Sequence, residues 1–421
     1  MLTLQDWIIY LLCFVGLFTS VFFALTILSP HKMRYRRDQK FRPKVSIIIP
    51  MWNEGSANGE RLRKTVESLL ACDYPKSKLE IIIVNDGSTD NSLNLANQYR
   101  VHGVKVLSYR KSRGKTHAVN LGMRHATGEL VAGLDADSFI MPDVLDKLVP
   151  CFKDKNVMAA VPSIKIWNPR SFLQLVQYQE FLSAVFIRHI QSELGAIPLA
   201  PGAFTLIRKS FIDAHGDLRA DSMVEDLEMS MRIQSEGYLI ENVTYANVYT
   251  SGVKTFRAFV SQRLRWFCGF IITVRKYNHL LHPRYGNLGV FILPVSIIYI
   301  LLTMGVFFYT IAMLFYNLSR WLWEVHLVGF SFKDIFEFSF DPFLVTIDNT
   351  TILPFILFFV ILSFMYYIKT VSEEKQGILM PFFAFNFSYW LIGSLCWVLA
   401  IYYYIAGKSI KWGPNYFRTR P

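Results

Sequence analysis

The chain has 421 residues, enough for a full domain and more, and 52% of them are hydrophobic, too many for an ordinary soluble enzyme, so part of the chain is expected in a membrane. Its net charge of +12 does not point to nucleic acid: the basic residues gather beside apolar spans, where positive-inside anchoring and anionic lipid account for them. Cys13, Cys72, Cys151, Cys268 and Cys396 are scattered without CxxC or Cys/His spacing, so neither a zinc site nor a disulfide framework is expected.

Residues 7–28 form an apolar stretch long enough to span a bilayer, followed at once by Lys32, Arg34, Arg36, Arg37, Lys40, Arg42 and Lys44, with only Asp38 interrupting the charge. A cleavable signal peptide has its charge before the apolar core. The reversed order here predicts an uncleaved anchor with the following domain in the cytoplasm. From Val45 to about Val248 the composition turns soluble. Val45–Ile49, Glu80–Val84, Val104–Ser108, Leu130–Leu134 and Val157–Val161 read as strands alternating with helical segments, which argues for a mostly parallel sheet covered on both faces. Asp221–Glu236 reads as a helix ended by Gly237, with Ser222 and Glu225 at capping-box spacing.

Residues 256–282 mix Arg, Lys and His with Phe, Trp and Ile, the composition of a helix at a membrane surface. His279 and His282 lie there and, with no third ligand nearby, read as interfacial. Apolar spans follow over about 288–316, 352–368 and 380–405, with aromatic ends suited to headgroup belts. The predicted organisation is a membrane helix (1–30), a cytoplasmic catalytic domain (31–253), interfacial helices (254–287) and a membrane region with three spans and a tail (288–421). Span counting puts the tail Lys408–Pro421 and the segment Asn317–Thr351 outside and Ser372–Gln376 inside. Yet the tail carries Lys408, Lys411, Arg418 and Arg420 and no acid, which the positive-inside rule would keep in the cytoplasm.

Chemistry gathers at strand ends. The apolar run from Val131 stops on Asp135 and Asp137, and alternate residues of an extended chain point the same way, so both carboxylates can converge on one hard divalent cation. The blander alternative is a polar turn. Asp86 ends the second strand and can accept hydrogen bonds from a base or ribose, or serve a turn with Ser88 or Asp90 as helix cap. Asn53 and Glu54 lie beyond the first strand. Arg113-Gly-Lys115-Thr116 is no P-loop, because Tyr109 stands where the first glycine is needed; Lys115 either reaches a phosphate or is an exposed helix-start lysine. Glu225 either completes a cap or joins a site, and Asp226 is either a general base or an acid favoured by the helix dipole. Gln262, Arg265 and Trp266 fall within about one helical turn, where arginine can neutralise a leaving diphosphate and tryptophan can stack on a sugar. Snorkelling from an interfacial helix is the alternative.

Taken in order, Val84-Asn-Asp86-Gly-Ser, Asp135-Ala-Asp137, Val224-Glu225-Asp226 and Gln262-Arg-Leu-Arg265-Trp266, framed by membrane spans, resemble the inverting family 2 glycosyltransferases. The closest resemblance is to the membrane synthases of poly-N-acetylglucosamine, chitin oligosaccharides, hyaluronan and cellulose. It covers roughly residues 45–266. It implies an α/β GT-A fold joined to a helical membrane region, a UDP-sugar donor and a divalent metal, Mg²⁺ or Mn²⁺. By the same resemblance Asp86 contacts uridine, with Asn53, Glu54, Lys115 and Asp135 also on the donor side. Asp135 and Asp137 serve metal and diphosphate, and Asp226 is the base. Gln262 and Arg265 frame the diphosphate, and Gly202, in a Pro-Gly-Ala-Phe loop like the acceptor-side loop, joins Glu225 and Trp266 at the acceptor.

The expected activity is therefore hexosyl transfer, with N-acetylglucosamine as the sugar, onto a growing β-linked polysaccharide at the plasma membrane, coupled to its translocation. A carbohydrate or lipid-linked acceptor and accessory export proteins are the expected partners, besides membrane lipids. A glycolipid synthase making one transfer, or a non-catalytic export channel or scaffold, are the alternatives. Asp226 argues against the last, since a pure channel has no use for it.

Overall fold

The computed structural model describes residues 4–28, 40–55, 59–329, 349–412 and 415–419. The basic residues Lys32, Arg34, Arg36, Arg37 and Arg420, with Asp38 and most of the segment between the second and third apolar runs, lie outside them. The chain divides into two compact units, one of Met1–Ser29 with Ile297–Phe364, the other of Pro30–Ser296 with Met365–Pro421.

The larger unit is built on strands β1 (Val45–Met51), β2 (Leu79–Asp86), β3 (Lys105–Tyr109), β4 (Leu130–Leu134), β5 (Phe139–Ile140), β6 (Val157–Ile166), β7 (Phe204–Arg208) and β8 (Leu239–Thr250). They form one sheet in the order β3-β2-β1-β4-β7-β6-β8-β5. Continuous apolar runs make this possible: a strand buried on both faces needs no polar alternation. Ile47 and Ile49 enter one core cluster with Leu62 and Val66, while Ile48 between them enters the other with Ala118 and Val119. Helix α2 (Glu60–Leu70) presents Leu62, Val66 and Leu69 to the first core, at the i, i+4, i+7 spacing of one helical face. On the opposite face lies α4 (Lys115–His125), following the short α3 (Ser92–Gln98).

All five expected strands are present. The pairs β1/β2, β2/β3, β1/β4 and β6/β8 are parallel, but β4/β7, β6/β7 and β5/β8 are antiparallel, so the sheet is more mixed than the alternation of elements implied. The antiparallel pairs involve β5, β7 and β8, which sequence reading missed. β8 carries Glu241, Asn242 and Asn247 within an otherwise β-prone run, and these polar residues conceal it. Strand order reverses direction at β1, with β2 on one side and β4 on the other. In an open α/β sheet that switch point opens a crevice beyond the carboxyl ends of the strands. Residues 52–54 and 135–137 flank it.

Helices α5 (Val144–Leu148), α6 (Phe172–Glu193), α7 (Lys209–His215), α8 (Glu225–Ser235) and α9 (Phe256–Lys276) complete the layers around the sheet. Helix α6 opens on a full capping box of Ser171 and Gln174. The box expected at Ser222 and Glu225 does not form. Ser222 Oγ instead accepts from Val224 N–H at 3.3 Å in a turn, and α8 starts at Glu225, after an N-cap Val224 without a side-chain cap. Gly237, at φ 78°, ends it as expected.

Four helices are long and apolar enough to cross a membrane, over Asp6–Leu28, Leu288–Leu327, Ile352–Val371 and Leu379–Ile405. They belong to α1 (Leu4–Leu28), α10 (Leu293–Val328), α11 (Asn349–Val371) and α12 (Leu379–Ile405). A short hairpin of β9 (Ser409–Trp412) and β10 (Asn415–Arg418) follows. Within the smaller unit Gly16 lets α1 approach Leu357 of α11, where a Cβ would meet its Cδ2 at 2.7 Å.

The close approach of α4 to β1 depends on Gly122, because a Cβ there would overlap the Ile48 side chain. Gly122→Ala is expected to destabilise the protein by about 1–3 kcal/mol through overpacking. Pairing it with Ile48→Ala should cost less than the sum of the two changes, as read from thermal unfolding in detergent.

Candidate active site

Beyond β1, Asn53 adopts φ 53°, a left-handed backbone that asparagine tolerates, and its Oδ1 accepts from Thr89 N–H at 2.8 Å while its own N–H donates to Ser88 Oγ at 3.0 Å. Gly55 N–H donates to Asp90 Oδ2 at 2.8 Å. The loops after β1 and β2 are thus tied to each other, and Asn53 is a tie in that framework. Glu54 remains beside the acidic group. Burial raises its pKa, Asp137, Asp90 and Asp135 add to the rise, and Arg61 opposes it.

Asp86 is buried, and both its oxygens are engaged. Oδ2 accepts from Ser112 Oγ at 2.6 Å and Gly114 N–H at 2.8 Å, and Oδ1 from Arg113 N–H at 2.8 Å. The carboxylate therefore moulds the loop that delivers Lys115. Three of its roughly four lone-pair positions are taken inside the protein.

Lys115, the first residue of α4, sets its Nζ 2.5 Å from Asp135 Oδ1. Burial alone would lower the lysine pKa, but Asp135 and Glu225 hold it above its ordinary value. Asp137 is raised by burial and by the neighbouring Asp135 charge, and Ser138 Oγ donates to it at 3.4 Å. Two adjacent carboxylates of which one resists ionisation are the donor set that a hard divalent cation relieves. Mg²⁺ in particular is held by one or two carboxylates and completes its octahedron with phosphate oxygens and water. Among the described residues no third His, Cys, Asp or Glu joins them. The pair fits a metal that is shared with a diphosphate.

Gly202 lies two residues before β7, and β7 runs antiparallel to β4, so the loop returns to the same sheet edge; Asp135 N–H donates to Ala203 O at 3.3 Å. Gly202 N–H donates to Asp226 Oδ2 at 2.6 Å, and Leu227 N–H donates to Asp226 Oδ1 at 2.8 Å. A Cβ on Gly202 would stand 2.9 Å from that Oδ2. The Asp226 carboxyl is pushed up to about 6, by burial first and Glu225 second, against the pull of Arg265 and Lys115. Lys115, Asp135, Gly202, Glu225 and Asp226 line one cavity. Arg265 acts on it electrostatically while its Nη1 donates to Met223 O at 2.8 Å, fixing the turn before α8.

Gln262 and Trp266 do not line that cavity. Gln262 Oε1 accepts from Arg263 Nη1 at 2.5 Å, and Trp266 packs near Phe181 with ring centroids 6.4 Å apart. The residue that sequence reading passed over is Arg263. It is fully buried, pairs with Glu180 of α6 through a 2.8 Å Nε–Oε1 bond, and stacks between Phe259 (4.2 Å) and Trp266 (4.3 Å). Its signal was present inside Gln262-Arg-Leu-Arg265-Trp266, but its partner Glu180 is 83 residues away. His279 packs against Tyr277 and Tyr285, and His282 Nδ1 accepts from Arg284 N–H.

Residues 46–216 match the model of glycosyl transferase family 2. Over 228 residues, 53% of this chain, the sequence is 32% identical to poly-beta-1,6-N-acetyl-D-glucosamine synthase from Staphylococcus epidermidis and 30% identical to the synthase of that name from Staphylococcus aureus (strain COL). The match spans about half the length of these relatives, 54%. Among solved structures, the mannosyltransferase PcManGT from Pyrobaculum calidifontis, in complex with GDP-Man and Mn²⁺, is similar with a TM-score of 0.53 at 22% identity, over 64% of this chain and 74% of that one. The sheet unit has a GT-A-like fold.

If Asp86 moulds the loop before Lys115, Asp86→Asn turns an acceptor into a donor facing N–H groups, at a cost of about 1–3 kcal/mol for each donor left unpaired. Faster tryptic cleavage at Arg110, Lys111 and Arg113, with a lower melting temperature, is the expected result.

Proposed function

Since residues 46–216 form a glycosyl transferase family 2 domain, we propose that the protein is a membrane-bound inverting hexosyltransferase that adds N-acetylglucosamine from its UDP-sugar to a growing β-linked polysaccharide. The observation that carries this reading is Asp226. Its carboxyl is pinned by Gly202 N–H at 2.6 Å and raised to about 6, so it is ionised at neutral pH yet basic enough to take a proton. The resemblance to the two staphylococcal synthases supports the sugar and the polymeric product.

In the proposed reaction an acceptor hydroxyl attacks the anomeric carbon while Asp226 removes its proton. The bond from that carbon to the diphosphate breaks, and UDP leaves with the electron pair. Lys115 and Arg265 are the fixed cations that meet the charge appearing on the leaving group. When bound, a divalent metal on Asp135 and Asp137 supplies further neutralisation of the diphosphate. Asp86 acts on the donor through the loop of Ser112–Gly114, and Trp266 provides an aromatic face for acceptor sugar. The catalytic domain is assigned to the cytoplasmic face of the plasma membrane, where UDP-sugars are made, and elongation is coupled to export.

The decisive test is incubation of purified protein with radiolabelled UDP-N-acetylglucosamine and sizing of the product; a ladder of products supports polymerisation, and one sugar per acceptor replaces it with glycolipid synthesis. Asp226→Asn is expected to abolish transfer while UDP affinity, measured by calorimetry, stays within about tenfold, or 1.4 kcal/mol. A larger loss would move Asp226 to the donor site. Activity should fall as pH drops through about 6, where Asp226 takes up the proton that blocks it as a base. Glu225→Gln removes the neighbouring negative charge and should move that acid limb to lower pH. Asp137→Ala should remove the part of the rate that a chelator removes from the unmodified enzyme; equal activity with and without chelator would dismiss the metal.

A further inference from the structure

Helix α12 has the length and apolarity of a membrane span, yet the sheet unit accompanies it from end to end. Before the helix, Ser372 O accepts from Lys165 Nζ at 2.7 Å and Asn247 Nδ2 at 3.0 Å. Glu374 pairs with Lys165 at 3.2 Å, both side chains 1% exposed, and Gln376 Nε2 donates to Ile166 O at 3.3 Å. These contacts fasten the residues before α12 to β6 and β8. Midway, Tyr389 O–H donates to Glu180 of α6 at 2.6 Å and Trp397 stacks on Phe267 of α9, centroids 4.2 Å apart. Past the helix, Thr419 Oγ1 closes the hairpin onto Tyr403 O and Lys408 O, and Ile410 and Phe417 pack with Met223, Val224 and Leu227. Helix α6 is itself held on the sheet near both ends, through Gln177 to Val253 O and through Ser192 to Asn242 N–H.

A 27-residue helix is about 40 Å long, and a bilayer core is about 30 Å thick. As a span it would put its flanks on opposite sides of the membrane. Both flanks dock on the same unit. We infer that α12 does not cross the bilayer: it lies along α6 and α9 with its outward apolar stripe in the lipid surface, and the β9–β10 hairpin stays on the side of the sheet, buttressing the turn that carries Asp226. The stripe includes Met380, Phe383, Phe387, Leu391, Leu395 and Tyr402, all exposed at helical spacing. Lipid is its occupant because the apolar α11 ends at Val371, only eight residues before α12 begins. This topology replaces the span count, and the basic tail then obeys the positive-inside rule that the count violated. The buttressing role rests on the reading of Asp226 as the base: Met223, whose carbonyl receives Arg265, and Val224 are the last residues before α8, and Ile410 and Phe417 of the hairpin join the same apolar cluster.

All five native cysteines are buried, so introduced thiols can be read against a low background. Val101→Cys lies on the sheet unit, 84% exposed, and Ser409→Cys lies in the exposed start of the hairpin. After both thiols are shown to react in detergent, an impermeant maleimide is added to intact and to lysed cells. The two positions should behave alike, both reacting in intact cells or both only after lysis; opposite behaviour means that α12 crosses the membrane and overturns the inference. No turnover is needed, so an error in the assigned reaction leaves this result standing. For the buttress, Phe417→Ala is expected to lower kcat about tenfold or more, as small misplacements of a reacting group do, with donor KM nearly unchanged and Phe417→Leu restoring the rate. Loss of donor affinity in step with kcat, or no rescue by leucine, removes the buttressing role.

Discussion

The ion pair between Lys115 and Asp135 is the contact on which the site depends. Asp135 ends a strand and Lys115 begins a helix, so the pair locks two layers of the fold at the point where the strand order reverses. It also makes the concentration of acids bearable. Glu54, Asp135, Asp137, Glu225 and Asp226 crowd one sheet edge, and each close pair of like charges costs on the order of 4 kcal/mol at 4 Å in a medium of intermediate dielectric. Lys115, Arg265 and Arg61 are the cations that reduce this repulsion, and burial still leaves Glu54, Asp137 and Asp226 raised above the usual carboxylate range. Asp226 is raised although Arg265 and Lys115 both pull against the rise, because burial and the Glu225 charge outweigh them.

Several residues that look like ligand contacts in the sequence also serve the framework. Asp86 spends its acceptors on the loop of residues 112–114, and Asn53 spends its side chain on Thr89. Arg263 is the converse: it sits in the middle of a motif and reaches no cavity residue, yet it joins α6 and α9 and orders the ring of Trp266.

The strands of the parallel half were legible because each is a short, wholly apolar run, a pattern that burial on both faces imposes. β7 and β8 were not, because their polar residues serve partners distant in sequence, as Asn247 does with Ser372. The acidic positions Asp135, Asp137 and Asp226 could be read from motif order, but their pairing with Lys115 and Gly202 could not, since strand order decides it. Hydropathy identified four apolar helices and said nothing about their neighbours. For α12 the neighbours matter more than the composition, because a helix of that kind is equally content against lipid on one side or on all.

The buried ion pair of Lys165 and Glu374 has a consequence for biosynthesis. The two residues are made 209 positions apart, and the pair leaves both side chains 1% exposed. Until the ribosome has passed Glu374, the ammonium of Lys165 and the side-chain amide of Asn247 lack the Ser372 carbonyl and the Glu374 carboxylate that they meet in the folded protein, although β6 and β8 can already pair. A chain truncated before residue 374 keeps the ladder between β6 and β8 and all its acidic motifs but leaves Lys165 without its counter-ion, and removing one partner of a buried ion pair costs about 3–5 kcal/mol.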